Sequence, residues 1–429
     1  MAAGHPTLAR LLVLALVASA ASAAAQPLRW WKGNLHTHTL WSDGDDFPDV
    51  VLAMYKERGY HFVALSDHNT LLVGQRWINP WQMAGGGELL ARYRERFGDE
   101  WVELSTDAGL TTVRLKTLEE CRELLEEPDR FLVLQAEEIT DAFAGRPIHF
   151  NATNLVDFIP PQGGTSALDV MQRTIDAILE QRRRTGVTIL PHLNHPNFRW
   201  GIRLSDFLQL RGERFFEIYN GHPAVNNGGW QGDGRGDEAE LRARENLDTE
   251  RMWDIANTLR ARQGQPLLYG LAVDDSHHYG EIAPERINPF RGWVVVRAAA
   301  LSAEAVTTAL EHGDFYASTG VTLRDLTVTP DRLAIEIATE PGVTYQTRFL
   351  GVRRSAADDH AATAVLAVAH GASAVYEPTG DELFVRAVVT SSRLQENAPV
   401  PGELERAWIQ PVSPEPGRAD RFAAPAPGR

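Results

Sequence analysis

Between residues 30 and 320, short apolar runs recur along the chain, and the stretches between several of them carry apolar positions at helical spacing. Candidate strands fall at residues 33–37, 61–66, 131–136, 148–151, 187–191, 215–219 and 266–273. Helices fit at 49–58, stopped by Gly59, at 167–184, stopped before Gly186, and at 249–262, stopped before Gly264. Strands alternating with helices in this way predict an α/β fold with a parallel sheet or barrel.

Residues 71–129 break the rhythm with Trp77, Trp81, Trp101, the run Gly85-Gly86-Gly87 and a charged helix. Two readings stay open: an insertion over the mouth of the barrel, or an excursion without ligand contact. After Gly320 the apolar positions alternate at period two, at 323–328, 333–338, 344–349, 383–389 and 407–409. This predicts a small C-terminal β-sandwich-like domain over 321–413, behind a barrel domain over 26–320. The tail 414–429, rich in Pro, Ala, Gly and Arg, is expected to be disordered.

The amino end carries Arg10, an apolar run from 11 to 18 and small residues to Ala25, the pattern of a signal peptide over 1–25. Its apolar segment falls short of the roughly 18 residues of a spanning helix, and no later stretch reaches that length. A periplasmic or secreted protein with no membrane span after processing is expected. Cys121 is the sole cysteine, which excludes an intramolecular disulfide and a thiolate metal site. In LEECRELLEE it reads as a helix-face thiol. A net charge of -15 argues against nucleic acid as a partner, since phosphate binding needs a basic face. Nothing in the sequence bears on oligomeric state.

Chemistry enters with the side chains near the strand ends. The stretch GNLHTHTLWSDG supplies His36, His38 and Asp43, and the second strand is followed by Asp67 and His68. Glu137 and Glu138 follow the third, His149 lies on or past the fourth, and His195 in PHLNHP follows the fifth. Glu217 and Asn220 surround the end of the sixth, and Asp275 and His277 in VDDSHH follow the seventh. In a βα barrel the active site is built at that end of the strands. If residues 35–39 extend the first strand, alternation puts His36 and His38 on one face. Imidazoles and carboxylates without thiolate suit Zn, Mn or Fe in an open site. The set is too large for one ion and suits two or three divalent cations.

The motifs HTH…SDG, LSDHN, AEEIT, HFNATN, NHP and DDSH resemble those of the PHP (polymerase and histidinol phosphatase) metallohydrolases, including exported carbaryl-hydrolase-like members, over residues 31–320. The resemblance implies a distorted (β/α)7 barrel. It implies that His36, His38, Glu138 and Asp275 hold one metal, that Glu138 bridges to a second held by His149 and His195, and that Asp43, His68 and His277 hold a third. Family members also carry histidine at the position of Asp43. The implied activity is hydrolysis of a phosphomonoester or phosphodiester by metal-activated water, on a small anionic or ester substrate. Carbamate, carboxyl-ester or amide hydrolysis on the same cluster is the alternative, and a non-catalytic glycan- or ligand-binding protein is the reading from another class.

Several neighbours compete for roles. His192 lies three residues before His195, and the family's HP pattern favours His195. Alternation turns Glu137 and Asp274 away from Glu138 and Asp275, toward structural pairing. Asp67 is assigned to the catalytic centre, orienting a ligand rather than binding metal. Arg199 in NHPNFRWG is the candidate to bind an anionic group in a fork, with a structural ion pair as the alternative. His222 and His278 read as loop histidines, with substrate contact as the alternative, and Tyr316 in GDFYASTG either nears the site or caps the barrel. His5 lies in the signal, and His61, His312, His360 and His370 lack motif context.

Overall fold

The computed structural model describes residues 27–232, 237–357 and 363–414. The expected signal segment, residues 415–429 of the expected tail, His5 and His360 lie outside the described residues.

The strands that bring in the candidate ligands are β1 (Arg29–Asn34), β2 (Phe62–Leu65), β3 (Leu132–Phe143), β4 (Arg146–Thr153), β5 (Leu190–Leu193), β6 (Phe215–Asn220) and β7 (Tyr269–Val273). They lie side by side in the order β7-β6-β5-β4-β3-β2-β1 within a mixed thirteen-stranded sheet. Strands β1, β2 and β3 run parallel, as do β5, β6 and β7. Strand β4 is antiparallel to both of its neighbours.

The reversal has a local cause. Phe143 pairs with Arg146, leaving a two-residue connection of Ala144 and Gly145, both at positive φ (50° and 77°). Two such residues make a tight hairpin, whereas a parallel crossover needs a dozen residues or more. The uniform alternation expected from the sequence therefore gives way at this point. His149 consequently reaches the ligand rim from the first half of its strand, not from beyond its end.

The series closes on itself past the strand ends. Thr37 bridges Ser276 in parallel, Asp275 N donates to His36 O at 3.0 Å, and His38 N donates to Ser276 O at 3.0 Å. The first and last ligand-bearing segments are thus stitched together by backbone.

Helices cover the outside. The helix Ala167–Thr185 starts on a Ser166 side-chain cap and ends at Gly186 in the left-handed region. Its Val170, Met171 and Ile175 pack against Phe150, Leu193 and Phe216. Each such buried side chain contributes about 1.5–3 kcal/mol. The helix Thr249–Arg262 is capped by Asp248, and Pro48–Glu57 opens on its proline.

Two further strands, β8 (Trp293–Ala298) and β9 (Phe315–Ser318), extend the sheet beyond β1. The strand Leu404–Val412 pairs with β9, and Glu382–Leu394, Tyr345–Arg353 and Ala364–His370 continue outward. A separate sheet of Leu323–Thr329, Arg332–Ile337 and Ser373–Tyr376 packs on this extension around Leu333, Ile335, Phe349, Val385 and Ile409. Tyr316 belongs to that core and its hydroxyl accepts from Leu323 N at 3.1 Å, so its role is structural. Arg386, buried, forks onto Asp254 of the helix Thr249–Arg262 at 2.5 and 2.9 Å.

Residues 71–129 form a small sheet (Trp77–Ile78, Leu110–Arg114, Leu104–Asp107) with the helices Gly86–Phe97 and Leu118–Leu125. Tyr93 and Trp101 both donate to Asp49 Oδ2, and Trp41 Nε1 donates to Lys116 O at 2.8 Å. The segment therefore braces the loop that carries Asp43 from behind. Cys121 is buried in the same core. No helix among the described residues is long and apolar enough to cross a membrane.

Candidate metal centre

Strand β1 ends at Asn34, earlier than the expected 33–37 strand, so His36 and His38 lie beyond it. The Asn34 side chain accepts from His36 N at 3.0 Å and donates to Gly292 O at 2.9 Å, which fixes the exit of the chain. The Thr37–Ser276 bridge then keeps the flanking imidazoles on one side, the outcome that strand alternation would have given.

His36 Nε2 lies 3.2 Å from both Glu138 Oε2 and Asp275 Oδ1. His38 Nε2 lies 3.1 and 3.2 Å from the same two oxygens. His36 Nε2, His38 Nε2 and Glu138 Oε2 are all buried without a hydrogen-bond partner among the described residues. Leaving three such atoms uncompensated would cost on the order of several kcal/mol. Ligand atoms about 2.1 Å from one cation sit roughly 3.0–3.4 Å apart, so the spacing and the missing hydrogens fit a metal ion.

Glu138 faces a second group with its other oxygen. Oε1 lies 2.9 Å from His149 Nδ1 and 3.2 Å from His195 Nε2, and it accepts from Asn194 Nδ2 at 2.9 Å. A third group is formed by His38, Asp43, His68 and His277, whose ligand atoms lie within 4.8 Å of one another. Asp43 is the open member, 58 % exposed, with Oδ1 3.3 Å from His277 Nε2 and Oδ2 3.6 Å from His68 Nε2. All nine residues expected to bind metal are thus brought together around Glu138 and Asp275.

Charge points the same way. Burial opposes ionisation of Glu138 and Asp275, yet the surrounding imidazoles outweigh it and hold both carboxylates well below their usual range. Burial also opposes protonation of His36, but Asp275, Glu138 and Glu217 outweigh that and raise it. Both carboxylates therefore stay ionised, the state in which they can ligate a cation. Asp275 has φ 52°, and Asn69, next to His68, has φ 48°, so backbone strain sits at one ligand and directly beside another.

The next layer of contacts orients these groups. Glu217, buried, places Oε1 2.8 Å from His36 Nδ1 and accepts His195 N at 2.8 Å on Oε2. His192 turns its Nε2 to the same Glu217 Oε1 at 3.2 Å, behind His36. Asn220 donates to Glu217 Oε2 and to Asp275 Oδ2 at 2.9 and 3.1 Å. Asp67 contacts no ligand nitrogen by hydrogen bond. Its oxygens accept from Thr39 N at 2.8 Å and Ser42 Oγ at 2.7 Å, which pins the turn between His38 and Asp43. Glu137 faces away and accepts Ile159 N, while Asp274 accepts Tyr55 Oη and three backbone amides.

Arg199 is exposed and makes no ion pair among the described residues; its guanidinium lies 5.3 Å from the Phe198 ring. Phe198 itself packs on His195, His222 and His149, with ring centroids 5.1, 5.4 and 6.1 Å away. Arg199 and Trp200 both have positive φ (47° and 58°), so this turn carries backbone strain that its packing must offset. Sequence reading assigned no role to Glu217, Asn194, Asn220 or Phe198. Position at a strand end was the one signal available for Glu217, and it is shared with residues that do nothing.

No protein-family model and no curated protein matches this chain. Among solved structures, it is similar to a two-domain protein from Bacteroides vulgatus containing a predicted PHP-like metal-dependent phosphoesterase. The identity is 14 %, over 89 % of this chain and 95 % of that one, with a TM-score of 0.41. A candidate metal-dependent phosphoesterase from Bifidobacterium adolescentis is 13 % identical over 58 % of this chain and 88 % of that one, with a TM-score of 0.26. An amidohydrolase from Chromobacterium violaceum with bound sulfate and no metal is 13 % identical over 60 % and 94 %, with a TM-score of 0.24. All three likenesses are distant, and what bears on function is the ligand geometry itself.

Proposed function

We propose that this protein is an exported metal-dependent hydrolase of PHP type that cleaves a phosphomonoester or phosphodiester. The observation that carries the reading is the convergence of His36 Nε2, His38 Nε2 and Glu138 Oε2, buried and without hydrogen bonds, beside Asp275. His36, His38, Glu138 and Asp275 would hold one cation. His149 and His195 would hold a second across Glu138, and Asp43, His68 and His277 a third. Zn, Mn or Fe bound there supplies a water of lowered pKa and offsets charge developing on the substrate oxygens.

The chain's own groups set the stage. Glu217 fixes the orientation of the His36 ring, and Asp67 fixes the loop that ends in Asp43. Phe198 keeps water from one side of the His149 and His195 pair. Arg199, exposed and without an ion pair among the described residues, offers a planar fork to the substrate's anionic group. The Phe198 wall also favours a second reading, a carbamate or carboxyl ester with an apolar group, on the same ligands.

Purified protein reconstituted separately with Zn, Mn and Fe should be assayed on p-nitrophenyl phosphate, bis-p-nitrophenyl phosphate, an aryl ester and an aryl carbamate. Turnover of either phosphate supports the first reading, and turnover of the ester or carbamate alone supports the second. Stoichiometric metal with no turnover of any would leave a ligand-binding protein. Export is tested by sequencing the amino end of the protein recovered outside the cytoplasm, where cleavage after Ala23 or Ala25 is expected.

A further inference from the structure

We infer that His222 is a substrate-contacting residue, donating a hydrogen bond from Nε2–H to an oxygen of the molecule held over the ligand groups. This rests on the hydrolase reading above. It starts from the chain leaving β6. Gly221 N donates to Val273 O at 2.9 Å, and a Cβ at Gly221 would meet Asp274 O at 2.9 Å, so this turn lies tight against the segment that carries Asp275. His222 N donates to Asn220 Oδ1 at 2.8 Å, and Asn220 Nδ2 donates to Asp275 Oδ2 at 3.1 Å. The backbone of His222 is therefore linked through one amide side chain to a ligand carboxylate.

The ring's tautomer follows from a single contact. Ala224 N lies 2.9 Å from His222 Nδ1. A backbone N–H can only donate, so Nδ1 carries the lone pair and the ring proton sits on Nε2. With Nδ1 turned to its own loop, the opposite edge of the ring is turned away from it. That ring stands edge-on to His277, with centroids 5.9 Å apart and planes at 89°, and packs on Phe198 at 5.4 Å. Nε2–H has no protein partner among the described residues. A half-buried donor with a fixed tautomer, bordered by a ligand imidazole and the apolar wall, is placed to read a phosphoryl or carbonyl oxygen.

The test uses the full chain, with His222→Phe and His222→Gln loaded with the same metal as wild type. Phenylalanine keeps the packing on Phe198 and removes the donor, and glutamine returns an N–H near the position of Nε2. The readouts are metal per chain, melting temperature, kcat/KM and the dissociation constant of inorganic phosphate. Expected are unchanged metal content, a loss of about a hundredfold in kcat/KM for H222F, and phosphate binding weaker by about tenfold, with H222Q recovering part of both. Unchanged phosphate affinity and kcat/KM in H222F would overturn the inference, as would loss of metal in both variants, which would make His222 a structural residue. If wild type hydrolyses nothing but phosphate binding still weakens in H222F and recovers in H222Q, the hydrolase reading fails and the contact stands.

Discussion

Glu217 Oε1 lies 2.8 Å from His36 Nδ1 in a fully buried contact, and this leaves the other imidazole nitrogen to face Glu138 and Asp275. A carboxylate behind a ligand imidazole fixes its tautomer and raises its basicity. Burial alone would favour the neutral acid, but His36 and His192 hold Glu217 down at about 2, so it stays an acceptor throughout the neutral range. Glu217→Ala should lower metal affinity by about 10–100-fold, with Glu217→Gln intermediate. Calorimetric titration of metal into the apo variants measures this, and equal affinities in all three proteins would refute it.

Glu138 is shared between ligand groups, whereas His192 sits behind His36 on Glu217. Glu138→Ala and His195→Ala should each lower metal content and activity together, and Glu138→Ala should lower both more. His192→Ala should keep most of each. Elemental analysis beside the hydrolysis assay reads both quantities, and full metal content in Glu138→Ala would sink the assignment.

Arg386 and Asp254 form a buried fork between the C-terminal strands and the helix Thr249–Arg262. Asp254→Ala removes the two shorter carboxylate contacts of Arg386 and leaves it Glu250 Oε2 at 3.3 Å, so the change should cost about 1.5–3 kcal/mol. Because β9 pairs with Leu404–Val412, a chain cut after residue 320 would also expose an apolar sheet edge. Urea denaturation of the variant and solubility of the truncated chain check these two expectations.

Burial pushes the Glu213 carboxyl up to about 8, against the opposing pull of Arg260. A native carboxyl that keeps its proton above the unfolded value makes stability fall as pH rises from about 4.3 to about 8. Below that window both states are protonated and the effect vanishes. Glu213→Gln should therefore gain on wild type between pH 5 and 8 by up to a few kcal/mol. Paired urea midpoints across that range would show the gap widen, and a constant gap would contradict it.

What the sequence determined by itself was the inventory of chemistry. His36, His38, Glu138, Asp275 and their companions are legible because ligand type and short motif spacing are local properties, and apolar runs mark the strands that carry them. The opposite facing of Glu137 and Glu138 was legible for the same reason, since alternation along a strand is local. Tertiary structure alone decided the rest. The Ala144-Gly145 turn reverses β4 and so delivers His149 from the front half of its strand. The Thr37–Ser276 bridge joins segments 239 residues apart in the chain, and Glu217 meets His36 across 181. No pattern in the sequence encodes such separations, because the energy that selects them comes from closing the whole sheet and burying its apolar faces. His222 shows the same limit, since its neighbours make it a plain loop histidine and only the Ala224 amide on Nδ1 and the ring of His277 beside it give it a role.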